Sequence, residues 1–468
     1  MFHRGMPLAL ALAGLLAQPL PALSAQNDDL KELRKQIEQL KQDYEARIQR
    51  LEARLQQTEA AVSAARATAT QANEQAAATA NELSTASGPA ASAPASANAF
   101  NPQISLILSG TYSRLSQDPS DYRISGFITG DEIGPGERSF SLGESELGIY
   151  ANIDPWFYGG LNLAVAGDNS VSVEEAFIQT TTLPHGLLIK AGRFFSGVGY
   201  LNEQHAHTWD FVDNPLAYQA FLGTQLNHDG MQLRWLLPTD TFVEFGAELS
   251  RGDNFPGSDN DNNGAATSAL FAHVGGDVGV SNSWRAGISY LHASPDDREF
   301  DDQNFAGDAV TNSFTGRSNL WIADFVWKWA PDGNASRTNL KLQAEYFRRR
   351  ESGDLAYDIA NADLADRFSS TQSGWYVQSV YQFMPRWRTG LRFDRLDSGD
   401  VDYASNNSFI DRPDYDPSKL SWMVDWNPSE FSRIRLQIAR DKSRQHVVDN
   451  QLFLQYQMSL GAHGAHNF

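Results

Sequence analysis

Residues 339–346 read Asn-Leu-Lys-Leu-Gln-Ala-Glu-Tyr, so apolar side chains at Leu340, Leu342 and Tyr346 alternate with polar ones. The same period of two recurs at 104–109, 320–329, 433–438 and 452–460. Successive side chains of a strand point to opposite faces, so the alternation gives each strand one apolar and one polar face. We predict strands beginning near residues 103, 139, 156, 172, 186, 229, 241, 267, 283, 318, 337, 373, 386, 418, 430 and 449.

The connections between these strands alternate in length. Short ones such as Pro238-Thr-Asp240 and Met384-Pro385 are followed by long polar ones over 251–264, 294–316, 350–371 and 397–417. Short turns at one end and long loops at the other are typical of an outer-membrane β-barrel, and about 23 residues per strand and connection suits that class. A periplasmic β-sandwich or propeller is the alternative, but it needs a second apolar face to cover the first. The predicted fold class is all-β, an antiparallel transmembrane β-barrel of about 16 strands over residues 101–468.

The composition excludes several classes of protein. The 468 residues carry a net charge of -20 and no Cys. The lack of Cys excludes disulfide frameworks, thiolate metal sites and cysteine nucleophiles. The acidic balance argues against nucleic-acid partners, because phosphate contacts need a basic face. With no HExxH motif and no glycine-rich phosphate loop, we predict no enzymatic activity.

The N-terminus indicates export. His3 and Arg4 precede an apolar stretch, residues 7–17, that is too short to span a membrane, and small residues follow. This pattern predicts a signal peptide over residues 1–25, cleaved after Ala25 or, as the alternative, after Ala22. Export without Cys favours the envelope of a Gram-negative bacterium, and we predict the outer membrane as the location.

Residues 26–83 and 84–100 separate the signal peptide from the barrel. Leu30, Leu33, Ile37 and Leu40 follow the 3, 4, 3 spacing of a heptad seam with polar residues on the other faces. This predicts a periplasmic coiled coil that oligomerises the chain, and a solvated amphipathic helix is the alternative. Residues 84–100 are rich in Ser, Ala and Pro, which indicates a linker.

The polar positions of the strands are expected to line the lumen. An acidic wall would consist of Glu144, Glu146, Glu175, Glu244 and Glu248. A basic wall would consist of Arg285, Lys341, Arg386, Arg388, Arg392, Arg433 and Arg435. Opposed walls would set a transverse field across a water-filled passage. The alternative is that the charges pair laterally and only keep the lumen polar.

The third long connection, about residues 200–226, stands out by its aromatic content: Trp209, Phe211, Tyr218 and Phe221. So much apolar surface is expected to fold inward against the barrel wall. Glu203, Asp210 and Asp213, together with Trp209, would then form the pore constriction opposite the arginines.

His205 and His207 flank one residue within this connection. In an extended segment such a pair projects both imidazoles to one side, a geometry that can chelate zinc. The alternative is a pair of hydrogen-bonding or surface histidines. We predict no resident cofactor, with Zn²⁺ as the one candidate for a bound or transported ion.

Two resemblances to known families follow from longer stretches. Signal peptide, coiled coil, linker and a barrel ending in Phe468 resemble the coiled-coil-bearing porins of the phosphate-selective-porin type. That resemblance implies a trimer with about sixteen strands and an inward-folded third loop. Residues 140–147, 190–211 and 460–468 look like a proteobacterial group labelled zinc-regulated TonB-dependent outer-membrane receptor, which implies an energised receptor with a plug domain and about twenty-two strands.

The length of the barrel region favours the porin. Residues 101–468 leave about 17 residues per strand for twenty-two strands and about 23 for sixteen. We predict a porin that admits small solutes or ions, including zinc or other metal ions. A zinc-responsive receptor and an envelope tether are the alternatives. The expected partners are outer-membrane lipid and lipopolysaccharide, two further copies of the chain in a homotrimer, and the barrel-assembly machinery through Phe468.

Overall fold

The computed structural model of the protein describes residues 102–461 apart from residues 131, 168–169, 259–262, 306 and 411–413. The predicted signal peptide, coiled coil and linker, and Phe468, lie outside the described residues, so those interpretations stay predictions. Among the described residues, no helix combines the length and the hydropathy needed to cross a membrane.

The described residues form one antiparallel sheet. Its strands are β1 (Gln103–Leu115), β2 (Ser139–Leu142), β3 (Ser145–Asn152), β4 (Phe157–Val165), β5 (Val171–Thr180), β6 (Leu187–Phe195), β7 (Asn227–Leu236), β8 (Phe242–Ser250), β9 (Thr267–Val278), β10 (Asn282–Ala293), β11 (Arg298–Gln303), β12 (Ala309–Trp329), β13 (Asn339–Tyr357), β14 (Leu364–Met384), β15 (Trp387–Asp402), β16 (Ser418–Ser429), β17 (Ser432–Lys442) and β18 (Asp449–Gly461). A short helix, α1 (Leu216–Leu222), lies between β6 and β7. Single 3-10 turns occupy Pro119–Asp121, Pro184–Gly186, Ala206–Thr208, Pro331–Gly333 and Ala404–Ser408.

The sheet closes into a barrel of sixteen strand positions. β18 pairs with β1, with Leu460 opposite Leu106 and Gln451 opposite Leu115, so the described sheet has no free edge. β2 and β3 pair with successive parts of β1 and occupy one position. β10 and β11 likewise pair with successive parts of β12 and occupy one position. The predicted all-β class and the count of about 16 are confirmed, and the count does not fit the twenty-two strands implied by the receptor resemblance.

The exterior of the barrel is apolar because the strand alternation places its apolar side chains outward. On β14, Trp375, Val377, Tyr381 and Phe383 are exposed, while the intervening Tyr376 is buried. Residues 375 to 383 span about 27 Å along the strand, which at a tilt of about 40° covers about 20 Å of the roughly 25 Å apolar band of a membrane barrel. This band is the surface that hydrocarbon covers.

Two of the long connections are strand rather than loop. Residues 294–316 and 350–371 were predicted to be loops, but the β11–β12 and β13–β14 hairpins extend through most of them. Their inward side chains, which include Phe314, Leu355 and Phe368, form a buried apolar cluster at the loop end of the barrel. Their outward neighbours are polar because this part of the sheet rises above the membrane band. Without apolar residues facing outward, the sequence does not show the alternation expected of a membrane strand.

The largest apolar core lies inside the barrel. Two connections enter the lumen, the first loop (residues 116–138) and the third loop (residues 196–226). Side chains of α1 and Ile124 of the first loop pack there on Leu320, Ile322 and Phe347 of the wall. The lumen is therefore largely filled on the side of β12–β15.

Candidate functional site

The third loop is the feature that shapes the lumen. Its two ends are held together by Asn202, whose Nδ2 donates to the carbonyls of Ser196 and Leu226 at 2.8 Å each. Glu248 of β8 accepts from the backbone N–H of Gly197 at 2.8 Å and fixes the start of the loop. From this base the loop extends across the lumen to the opposite wall, so the predicted inward fold is what the structure shows.

On the opposite wall the first anchor is Glu345 of β13. Its carboxylate accepts from the N–H groups of Tyr200 at 2.9 Å and Leu201 at 3.2 Å, and from the Tyr218 hydroxyl at 2.9 Å. Three donors from one loop on one buried carboxylate fix the loop and α1 relative to β13. Glu345 is a polar position of β13 and was expected to face the lumen, but that position does not reveal what it contacts.

Two aspartates of the loop meet the basic wall directly. Asp210 pairs with Arg388 at 3.2 Å and contacts Lys341. Asp213 pairs with Arg392 at 3.0 Å and with Lys419 at 2.6 Å. These carboxylates were predicted to face the arginines across a passage, and they lie instead in contact with basic side chains.

The ionisation of both aspartates follows from these contacts. Burial raises the pKa of Asp210, but the charges of Lys341 and Arg388 outweigh it and hold that pKa below its usual range. Burial likewise raises the pKa of Asp213, and Lys419 and Arg392 lower it further than burial raises it. Both loop carboxylates are therefore charged at neutral pH.

The remaining arginines of the basic wall bind the backbone of the loop. Arg435 donates to the Trp209 carbonyl at 2.7 Å and Arg433 to the same oxygen at 3.3 Å. Arg285 lies over the ring of Tyr200, with its guanidinium carbon 5.3 Å from the ring centroid. The predicted basic wall thus exists but is covered by the third loop.

Arg386 is the exception and a correction. It was predicted to belong to the basic wall, but it lies with Pro385 in the two-residue turn between β14 and β15 and is exposed. Its φ of 72° places it in the left-handed region, as a tight turn requires. The strand begins one residue later, so the side chain does not reach the lumen.

On the acidic wall, the third loop brings its two histidines against three glutamates. His205 Nδ1 lies 3.5 Å from Glu146 Oε2 and 3.3 Å from Glu174 Oε2, and its Nε2 lies 3.1 Å from Glu175 Oε2. His207 Nδ1 lies 2.6 Å from Glu146 Oε1. The two imidazoles are stacked, with centroids 5.6 Å apart, and they reach different carboxylate oxygens rather than one common point.

Glu174 was missed because it breaks the alternation. The pairing of β4 with β5 shifts register there: Asn162 is opposite Glu175, and Leu163 is opposite Val173. The extra residue of this β-bulge is Glu174, so two consecutive carboxylates are both buried on the lumen side. Strict period-two alternation allows only one of them inside.

The other predicted acidic residues are distributed around the lumen. Glu203 pairs with Arg234, and Glu244 lies 3.2 Å from His273 Nδ1. Glu144 lines an open cavity beside the third loop and lies next to Glu174. The acidic residues therefore do not form one continuous wall.

That cavity is the space that the third loop leaves open. It measures about 430 Å³ and is bounded by the third loop, the first loop and the wall formed by β1, β2 and β18. A smaller cavity of about 140 Å³ lies towards the short turns, and His207 and Gln457 line both cavities. These two side chains form a common boundary of the two cavities.

The fold and the lumen define a transmembrane β-barrel of sixteen strands narrowed by an inward-folded third loop. An uncharacterized protein of Aquifex aeolicus (strain VF5) is 32% identical over 400 residues, which cover 80% of this chain and 81% of that protein. The chain belongs to the same family as that protein. No protein-family model matches it.

Several solved structures are similar in outline. OmpT of Vibrio cholerae aligns with a TM-score of 0.48 and 11% identity over 78% of this chain and 99% of that one. The outer membrane channel DcaP of Acinetobacter baumannii aligns with a TM-score of 0.46 and 13% identity over 77% of this chain and 97% of that one. An anion-selective porin from Comamonas acidovorans aligns with a TM-score of 0.47 and 10% identity over 77% of this chain and 99% of that one. At these identities and TM-scores the similarities carry no information on function.

We predict that Asp213→Asn loosens the third loop. Removing one partner from a buried ion pair costs about 3–5 kcal/mol when the other charge is left uncompensated, and the cost should be lower here because Arg392 keeps Asp394 and Lys419 keeps Asp441. The loop contains no Lys or Arg but several aromatic residues, so chymotrypsin is the suitable probe. Cleavage after Trp209 or Phe211 should become faster than in the wild-type barrel.

The matched control is Asp416→Asn, which removes a surface ion pair with Arg395 whose side chains are 41% and 46% exposed. Exposed pairs contribute little, so this variant should be cleaved at the wild-type rate. Equal protease resistance of Asp213→Asn and the wild type would refute the anchoring role of Asp213.

Proposed function

We propose that the protein is an outer-membrane porin, a passive channel that lets small solutes cross through its lumen. The observation that supports this is the pair of cavities that have His207 and Gln457 as a common boundary beside the third loop. We infer that they join into one passage from the loop end towards the turn end. The lumen on the side of β12–β15 is filled by the third loop and its apolar contacts.

The walls of this passage suit water and hydrophilic solutes. β1 presents Ser109, Thr111 and Ser113 to the larger cavity, and β18 presents Gln455 and Gln457. Short hydroxyl and amide side chains bind water without occluding a narrow path. We infer that the passage is water-filled and that solute size is limited where the two cavities meet.

The charges along the passage favour cations. Glu132 and Glu137 of the first loop and Glu144 line the larger cavity, and none of its described lining residues is Lys or Arg. Arg433 borders the smaller cavity, but its guanidinium donates to the carbonyls of His207 and Trp209. Because the lining is acidic and the third loop covers the basic wall, the passage should prefer cations over anions. Zinc and other metal ions are among the cations that it would admit.

We also propose a homotrimer: the heptad pattern of residues 26–83 indicates self-association, and the resemblance to coiled-coil-bearing porins implies three chains. The surrounding lipid, lipopolysaccharide and the assembly machinery remain partners expected for a barrel in the outer membrane. Native mass spectrometry in detergent tests the assembly directly, and a mass of one chain would contradict the trimer.

Conductance of single channels in planar bilayers tests the passage. We expect open, ohmic channels from the wild type and a clearly smaller conductance from Thr111→Trp, because the indole enters the 430 Å³ cavity. Leu108→Trp is the control, since Leu108 lies on the same strand but is exposed to the exterior. Absence of any channel from the wild type, or equal conductance of the two variants, would contradict the proposed passage.

Reversal potentials in a salt gradient test the cation preference. The double variant Glu132→Gln, Glu137→Gln removes two lining charges without touching the third loop, so the cation-to-anion permeability ratio should fall severalfold. Glu299→Gln removes one exposed charge from β11, away from the passage lining, and should leave the ratio unchanged. An anion-selective wild type would show that the lining glutamates do not control selectivity.

A further inference from the structure

Four side chains from four parts of the chain converge on one point beside the third loop. Asn162 Nδ2 on β4 lies 3.0 Å from Glu146 Oε2, 2.9 Å from Glu174 Oε2 and 3.1 Å from His205 Nδ1. The donor atoms of Glu146, Glu174 and His205 all lie within 4.8 Å of one another. Both glutamates are buried, and no Lys or Arg among the described residues pairs with them.

The spacing of these atoms is that of metal ligands. Ligands about 2.1 Å from a tetrahedral ion are about 3.4 Å apart. His205 Nδ1 lies 3.5 Å from the Glu146 oxygen and 3.3 Å from the Glu174 oxygen. These two separations match those of ligands around one ion.

With both carboxylates ionised, each placement of the remaining protons leaves the cluster with a mismatch. If His205 Nδ1 carries a hydrogen, it faces the amide nitrogen of Asn162, which is also a donor. If Nδ1 carries none, its lone pair faces two carboxylate oxygens. If the Asn162 amide is turned, its oxygen faces both carboxylates.

A divalent cation removes all three mismatches at once. The turned amide oxygen, the two carboxylate oxygens and a neutral Nδ1 all present lone pairs to the same point. We propose that Glu146, Glu174 and His205, completed by Asn162, bind a divalent first-row transition-metal ion of the Zn²⁺ type. An imidazole nitrogen among carboxylate oxygens favours such an ion over Mg²⁺ or Ca²⁺.

The surroundings of the donor set are those of a metal site. Glu175 Oε2, 3.1 Å from His205 Nε2, holds the hydrogen on that nitrogen and leaves Nδ1 for the ion, as carboxylates behind metal-bound histidines do. The other oxygen of Glu146 accepts from His207. Because of the β-bulge, the consecutive residues Glu174 and Glu175 both lie on the lumen side. Glu174 would be a ligand, and Glu175 would orient the imidazole of His205.

The site has an entry route and a structural consequence. Glu144 contacts Glu174 and lines the open cavity, so an ion reaches the site from the passage. The bound ion would link β3, β4 and β5 to the third loop on the side opposite the aspartate anchors. This inference does not depend on the channel function, since binding and conductance are measured separately.

Zinc titration of the full-length protein tests the site. After dialysis against a chelator, the detergent-solubilised wild type should bind one Zn²⁺ per chain saturably in calorimetry. Affinity should fall at least tenfold in His205→Ala and in Glu174→Gln, because each removes one donor. His273→Ala removes a comparable imidazole, 3.2 Å from the single carboxylate of Glu244, and should leave the affinity unchanged.

Crystals of the wild type soaked in Zn²⁺ give a second measurement that needs no variant. An anomalous peak at the zinc edge is expected between His205 Nδ1 and the Oε2 atoms of Glu146 and Glu174. Any of three results would overturn the proposal. These are saturable binding that both site variants retain, no binding at micromolar Zn²⁺, and an anomalous peak elsewhere.

Discussion

Inside the barrel, two carboxylates of the third loop, Asp210 and Asp213, meet four cations of the wall: Lys341, Arg388, Arg392 and Lys419. Desolvating so many charges is costly, and a network of this kind contributes little net stability compared with apolar packing. Its strength is positional, because moving either aspartate away would remove a carboxylate from these cations and leave Arg388, Arg392 and Lys419 with only Asp425, Asp394 and Asp441, respectively. The position of the loop, and with it the shape of the lumen, depends on these contacts.

Apolar packing also holds the third loop against the barrel wall. Trp209, Phe211 and α1 are buried against the wall, so the loop fills the half of the lumen on the side of β12–β15. The open cavity consequently lies against the wall of β1, β2 and β18. The basic wall holds the loop, and the charged residues that line this cavity are acidic. The two predicted walls therefore do not create a symmetric transverse field.

Much of the fold was predictable from the sequence because membrane barrels obey a period of two wherever lipid covers one face. The starts of β1, β9, β16 and β18 agree with the predicted positions, and the count of sixteen is confirmed. The prediction failed above the membrane band, where outward Arg348 and Arg350 conceal the strand character of β13.

At the site, the aromatic content of residues 200–226 revealed the inward fold, but single residues could not be assigned partners. Lys419 and Glu345 become anchors only through contacts with residues more than a hundred positions away in the chain. Glu174 lies inward only because of a bulge, which no alternation pattern shows. The H-x-H spacing predicted two imidazoles on one side of the segment, and His205 and His207 are stacked, but the spacing could not show that their carboxylate partners come from β3 and β5.

The most direct test of this account uses the absence of Cys from the chain, since a single introduced Cys is then the only thiol. Thr111→Cys places it in the passage, and Val380→Cys places it on the wall beneath Phe211 of the third loop. The reaction of each with a water-soluble methanethiosulfonate reagent is followed by channel current. We predict rapid loss of current for Thr111→Cys and no reaction for Val380→Cys. Equal reaction rates at the two positions would show that the third loop does not cover the wall as described.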